Sequence, residues 1–547
     1  MTLPAPDTAL PESVSATAAG ALGLHAASAF RTTDGRCTDC ATIRQALWYF
    51  RDETIAVPRS AQRLAGFQRG VPTFDDVRAW AAARPAGAPI DDPPLVWIAA
   101  PQLLRGAVLS PDADALVAAG STMPLRLVPK IPLNRSYFDT SSARYFGQRS
   151  VTVRGRIDDG TFTARTLWPE DFRLGGAAPA RALPAGQPPA EALRAMMRES
   201  GRGGATSPYA TAELWRRPGT GDWTGRPVLA FIVNGAQGED DEAHAGHFAI
   251  VTGRIGADGA IGDWLVNNFY TLDAESEKGI IAAPVTLDNY LGDLNAGQAW
   301  YRPSYLLVAV LRDERAAALV QSALGRVYNQ FYRHQLVYYH PMVNCTSISV
   351  DTLRALGWPV PARGPTSRLL AAGGLPWFAL RDRSLAKAQL TYDYLTEDQT
   401  RLLPAAALEE IFASLLRLGR TSERSAGSDA APNGMLARML AQDLDALAFV
   451  RIPQFPSSRA WGDAPVVTLS EYRSRVPSDP AMVQIVPVPP RPFPDHLRDP
   501  DLLVPPRHRS ERATDVWAVL LVVGIPWVLW RAWRRWRERR PARRRSA

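Results

Sequence analysis

Two segments of this chain hold the residue types that acyl-transfer chemistry needs: His244-Ala-Gly-His247-Phe-Ala-Ile-Val-Thr and His340-Pro-Met-Val-Asn344-Cys345-Thr-Ser-Ile-Ser-Val. The first reads as a histidine opening a strand, the second as a cysteine opening a helix. A thiolate nucleophile asks for an imidazole to take its proton and for a helix N-terminus whose N–H groups and dipole favour the anion. Cys345 is therefore the candidate nucleophile. His247, at the mouth of the strand, is its candidate general base, and His244 reads as a loop residue. A third group should orient the imidazole, and the next strand offers Asn267 and Asn268. Alternation lets only one of them face inward, and Asn267 is the one expected to do so.

Neighbouring positions complete the constellation. Asn344 stands where the cap of the Cys345 helix would be. Asn344, Thr346 and Tyr339 are the residues expected to meet substrate or its oxyanion, with Tyr338 and His340 in the pocket wall. The inert reading of Cys345 is a buried thiol on the apolar stripe of its helix, since free cysteine is among the most buried residue types. A rival site would use Glu239-Asp-Asp-Glu242 with His244 and His247 to hold a divalent metal. Adjacent acidic residues usually mark a solvated loop and no second ligand cluster accompanies them, so neither metal nor cofactor is expected. Cys37-Thr-Asp-Cys40 lacks the second pair of a zinc site and the following histidine of a haem site. A short structural disulfide between Cys37 and Cys40 is the expectation, with a redox pair as the alternative.

The elements that must position these residues follow from periodicity. Strand-like runs occur at 227–234, 246–253, 263–270 and 304–311. Helical period then takes over, with Leu319, Ala323, Val327 and Phe331 on one face and Cys345, Ile348, Thr352, Leu353 and Leu356 on another before Gly357. Strands first and a cysteine-bearing helix later make an α+β domain over 200–375. Around it the chain divides into a leader at 1–34 expected to be poorly ordered, a β-rich accessory region at 35–195, a mainly helical region at 376–450 and a proline-rich stalk at 451–512.

The order of histidine strand and cysteine helix resembles the circularly permuted papain-like (NlpC-like) cysteine acyltransferases and hydrolases, in which the nucleophile lies C-terminal to its base. Within that group Gly246-His-Phe-Ala-Ile-Val and Asn344-Cys-Thr-Ser resemble the Gly-His-(aromatic or Ala)-Ala-Ile and Asn-Cys-Thr-Thr signatures of bacterial Lnb-type (DUF4105-type) domains. Relatives of lecithin-retinol acyltransferase carry a similar Asn-Cys. The resemblance covers roughly residues 225–375. It implies a permuted papain-like fold, with an antiparallel sheet beside the cysteine helix, and acyl transfer or amide hydrolysis through a thioester on Cys345. Lipoprotein acyl transfer is the activity nearest to it.

Charge and hydropathy bear on location. The net charge is +8, and residues 531–547 hold nine arginines against Glu538, which is the whole excess. The rest of the chain is neutral on balance, so a basic face for nucleic acid is not expected. Before those arginines, Val516 to Trp530 is fifteen residues without a polar side chain. A bilayer span takes about 20, and 513–533 reaches that length if Asp515 and Arg531 extend to the interface. A single membrane helix at 513–533 is expected, with the basic tail 534–547 in the cytoplasm and the bulk of the chain outside the inner membrane of a bacterial cell. The N-terminal residues read poorly as an export signal. Either a late anchor directs export, or the start lies upstream, or the domains are cytosolic. The Cys37/Cys40 pair favours export. The functional expectation is a membrane-anchored cysteine-dependent acyltransferase or amide/ester hydrolase acting on envelope lipid, lipoprotein or peptidoglycan peptide. A non-catalytic envelope scaffold with the same fold is the alternative.

Overall fold

Continuous apolar runs mark the strands that end in the middle of the structure: Pro227–Asn234, His247–Arg254 and Ser304–Leu311 are buried along nearly their whole length, as strands covered on both faces must be. The computed structural model describes residues 20–459 apart from 35–43, 51–52, 60–65, 86, 130–135, 176–180, 182, 184–185, 199–207, 236–245, 273–281 and 425–432. The first strands are β1 (Ala21–Leu22), β2 (His25–Ala26), β3 (Phe30–Asp34), β4 (Thr54–Pro58) and β5 (Val96–Ala99). There follow β6 (Gln102–Leu109), β7 (Ala115–Ala118), β8 (Ser121–Leu127), β9 (Ser136–Tyr137), β10 (Val151–Asp158) and β11 (Thr161–Pro169). The central group is β12 (Ala210–Arg216), β13 (Pro227–Asn234), β14 (His247–Arg254), β15 (Leu265–Asn268), β16 (Ala283–Thr286) and β17 (Ser304–Leu311). After a long helical stretch come β18 (Leu444–Ile452) and β19 (Ser458–Arg459).

These strands form an α+β structure. Ten lie in one sheet, in the order β12-β18-β17-β13-β14-β15-β16-β5-β4-β3, and β10-β11-β8-β7-β6 close into a barrel. The helices Arg315–Phe331 and Cys345–Ala355 follow β17 directly. The partition drawn from sequence is redrawn in three places. The 1–34 leader contains β1 to β3, and β3 is the last strand of the large sheet. The 35–195 region splits, because β4 and β5 extend that same sheet while β6 to β8, β10 and β11 make the barrel. The 376–450 region is helical only as far as Asp443; β18 then inserts between β12 and β17. Of the 451–512 stalk, residues 451–459 are described, and the rest of it, the 513–533 span and the 534–547 tail lie outside the described residues. Among the described residues no helix is long and apolar enough to cross a membrane.

The barrel grips one short helix, Leu287–Gly292, through a run of polar contacts. Arg154 of β10 donates to Asp288 at 2.6 Å, and both side chains are buried. Thr166 of β11 donates to Asn289 at 2.6 Å, and Arg165 donates to Asp293 at 2.9 Å and to Glu53 at 2.8 Å. Gly292 permits the close approach, since a Cβ there would lie 2.3 Å from the Leu167 carbonyl oxygen. A buried ion pair gives little net stability when intact, but losing one partner strands the other charge away from water. Arg154→Leu is therefore expected to cost about 3–5 kcal/mol in urea unfolding. Arg105→Ala, which removes the more exposed pair with Asp263, should cost under about 1 kcal/mol. Equal losses in the two variants would contradict this ranking.

Candidate active site

Cys345 is the first residue of its helix because Asn344 caps it. The Asn344 Oδ1 accepts from the N–H groups of Thr346 and Ser347, each at 2.9 Å, and the Ser347 hydroxyl accepts from the Asn344 N–H at 2.8 Å. This reciprocal box satisfies the first orphan donors of the helix and fixes the direction in which its N-terminus points. The Asn344 Nδ2 donates to the His340 carbonyl at 2.7 Å, tying the cap to the preceding loop. Both ends of the Asn344 amide are thus engaged. Its side chain serves as the cap.

His247 begins β14, and its partner across β13 is Asn234. Its Nε2 lies 2.7 Å from the Asn268 Oδ1. An amide oxygen only accepts, so Nε2 carries the proton and Nδ1 is the nitrogen left for the thiol. The orienting residue is therefore Asn268, and the expectation for Asn267 is corrected. Sheet register is the cause. Ile250 stands opposite Asn267, which puts Ala249 opposite Asn268. His247, Ala249 and Asn268 consequently share one side of the sheet, and Ile250 and Asn267 the other. On that second side Asn267 donates to the Ile250 carbonyl at 3.1 Å and exchanges hydrogen bonds with Gln321.

The imidazole meets the thiol. Burial alone pushes the Cys345 thiol up from its ordinary 9.0, yet the His247 charge and hydrogen bond, the Phe248 backbone N–H and the Thr346 hydroxyl outweigh it and lower it to about 7. Thr346 adjoins the sulfur, its Oγ1 being 3.9 Å from Sγ. Tyr339 does not. It is partly exposed and donates its O–H to Asp393 at 2.9 Å, while its backbone pairs with Val343. The neighbouring Tyr338 turns its phenol onto Cys345 instead, interacting with both the thiol and the backbone N–H. Burial and then the Cys345 charge push the Tyr338 phenol well above its ordinary range, so it stays a neutral donor.

Two further residues complete the wall around His247. The Tyr290 ring centroid lies 6.3 Å from that of His247, and the Tyr290 O–H donates to Asn234, whose Nδ2 donates to Ser304 at 2.8 Å. Tyr290 sits between Asp288 and Asp293 on the helix that the barrel grips. No local motif in the sequence singles it out, because its approach to His247 depends on where the barrel folds. His340 bonds through Nδ1 to the Tyr394 hydroxyl at 2.5 Å. Cys37, Cys40, His244 and Glu239 to Glu242 lie outside the described residues, and among the described residues no group of His, Cys, Asp and Glu is placed to hold a metal ion.

The thiolate is the reactive form, so alkylation of Cys345 by iodoacetamide should rise with pH through a midpoint near 7, not near 9.0. In His247→Ala burial is no longer opposed by the imidazolium. The thiol then returns to 9 or above, and alkylation at pH 7 should fall by about 50-fold or more. Asn268→Ala should slow alkylation and displace its pH midpoint. Asn267→Ala should leave the midpoint in place and lower stability by about 1–3 kcal/mol through the stranded Gln321 amide. A midpoint shift in Asn267→Ala alone would reverse the assignment. Comparison of the chain with family models, curated proteins and solved structures finds no match, so the reading of this site rests on its own geometry.

Proposed function

We propose that the chain is a cysteine-dependent acyltransferase or amide/ester hydrolase that works through a thioester on Cys345. The observation that carries this reading is the arrangement itself: a thiol lowered to about 7 at a capped helix start, facing an imidazole whose far nitrogen is fixed on Asn268. A structural cysteine in an apolar core would have its pKa raised, not lowered. The order of histidine, asparagine and cysteine along the chain supports the permuted papain-like arrangement and the Lnb-type resemblance.

In this mechanism the Cys345 thiolate attacks an acyl carbonyl carbon. Negative charge moves to the carbonyl oxygen, where the Cys345 backbone N–H and the Tyr338 O–H are the candidate donors. The tetrahedral intermediate collapses to a thioester as the His247 imidazolium passes its Nδ1 proton to the leaving group. Water, an amine or an alcohol then attacks the thioester, with His247 accepting its proton, and the thiolate is regenerated. Asn268 holds the ring plane through both half-reactions and touches no reacting atom. No cofactor enters any step.

The substrates in this reading are envelope lipid, lipoprotein or peptidoglycan peptide, with the body outside the inner membrane and one span at 513–533. What supports that placement is the apolar run Val516 to Trp530 followed by nine arginines. p-Nitrophenyl esters test the chemistry without knowledge of the native donor. Mixing with p-nitrophenyl butyrate should release a burst of p-nitrophenolate and leave a butyryl adduct on the peptide containing Cys345, both absent in Cys345→Ala. Tyr338→Phe should lower the burst rate by about 100- to 1,000-fold, the scale of one oxyanion donor. A burst that survives Cys345→Ala would end the thioester reading.

A further inference from the structure

The helices Arg368–Arg381 and Leu385–Thr396 form an antiparallel hairpin that packs mainly against itself. Its surface is unlike the rest of the molecule. Leu369 is 86 % exposed, Leu380 81 %, Leu385 78 %, Leu370 64 % and Trp377 54 %, with Leu390 also exposed. Ten large apolar side chains are exposed among the described residues, and these six fall within one short hairpin. Single exposed leucines are ordinary, whereas a cluster marks a surface that is covered by something. Leu369, Gly373, Trp377 and Leu380 follow one another at intervals of four, four and three, so they form one stripe along the first helix.

The charges around this stripe say what covers it. Arg368, Arg381, Arg383 and Lys387 are exposed on the hairpin, and the first helix contains no acidic residue. Against these four cations stands Asp382, which pairs with Arg381 at 2.9 Å; the buried Asp393 is bonded to Tyr339 and Gln389. The Arg381 guanidinium lies over Trp377 at 4.7 Å and over Phe378 at 5.3 Å, an aromatic and cationic cluster at the free end of the helix. Apolar side chains with tryptophan, rimmed by cations, suit the boundary between acyl chains and anionic headgroups. Gly373, Gly374 and Pro376 inside the helix point the same way. Each weakens a helix in water, and both types are more frequent in transmembrane helices than in soluble ones.

We propose that this hairpin is a docking surface for an anionic lipid bilayer. It enters the headgroup region with Leu369, Trp377, Leu380 and Leu385 on the apolar side and the four cations at phosphate level. Its root is tied to the loop before the nucleophile, through Tyr394 to His340 at 2.5 Å and through Asp393 to Tyr339 at 2.9 Å. Docking therefore brings Cys345 to the bilayer surface. That the acyl donor is then a membrane lipid rests on the thioester reading above, but the docking itself does not.

The test compares the purified full chain with phosphatidylcholine vesicles that either contain or lack phosphatidylglycerol. Amide hydrogen exchange reads the hairpin separately from any other lipid-binding segment of the chain. Anionic vesicles should slow exchange across 368–390 and pure phosphatidylcholine should do so less. In Trp377→Glu/Leu380→Glu the protection across 368–390 should vanish. Arg381→Glu/Arg383→Glu should remove the dependence on phosphatidylglycerol. Cys345 alkylation in solution should be unchanged in all of these variants, so a failure of docking and a failure of the catalytic reading are told apart. Exchange across 368–390 that ignores vesicles, or protection that grows with protein concentration without lipid, would overturn the proposal.

Discussion

A thiolate in a buried position is unfavourable, and most of what surrounds Cys345 offsets that cost. Removal from water favours the neutral thiol. Opposing it are the imidazolium of His247, the N–H of Phe248, the hydroxyl of Thr346 and the N-terminus of the helix that Asn344 caps. None of these acts at a distance. The imidazole must stand at one position and in one ring orientation, and the helix must begin at Cys345 and not a residue later. The capping box settles the second requirement, and the Asn268 acceptor settles the first.

The orientation of His247 depends in turn on parts of the chain far from it in sequence. Tyr290, against one side of the imidazole, is carried by the helix Leu287–Gly292, which sits on the barrel through Asp288, Asn289 and Asp293. The barrel is thus more than an appended module. Its arginines Arg154 and Arg165 reach carboxylates that flank the tyrosine, and Arg165 reaches Glu53, which also accepts from Trp97 of β5 at 2.8 Å. Buried charge pairs of this kind are poor sources of stability but specific in geometry, since each satisfied partner admits one placement. Here they fix where a short helix lies against a strand.

Much of this was legible in the sequence, and the limits have physical causes. Buried strands are apolar throughout, so β13, β14 and β17 could be read to within a residue, and the Asn-Cys start of the helix was readable because capping is a local interaction. The choice between Asn267 and Asn268 was not. It turns on the register of β14 against β15, and the connection between them, from Ile255 to Trp264, is long enough to permit either parity. Tyr338 and Tyr339 presented the same ambiguity in a loop, where the backbone pairing of Tyr339 with Val343 turns adjacent phenols in different directions. The membership of β3, β4, β5 and β18 in the large sheet was hidden for another reason. These strands pair across separations that no local periodicity encodes.

The two halves of the pair are held by different parts of the molecule. His247 is held by its place in the sheet, by Asn268 and by the barrel-borne Tyr290. Cys345 is held by the cap, by the loop from Tyr338 to Val343 and by Arg401, which donates to Asp351 at 2.9 Å and to the Met342 carbonyl at 3.1 Å, and also pairs with Glu397 at the end of the helical hairpin. The hairpin therefore shares polar contacts with the cysteine half, through Tyr394, Asp393 and Glu397. These contacts reach the loop carrying Tyr338, the group that faces the thiol and its N–H, whereas the strand carrying His247 is paired on both edges by β13 and β15. In the proposed mechanism this arrangement divides the work: the imidazole is anchored by sheet partners on both sides, and the thiol is approached through the loop that carries Tyr338.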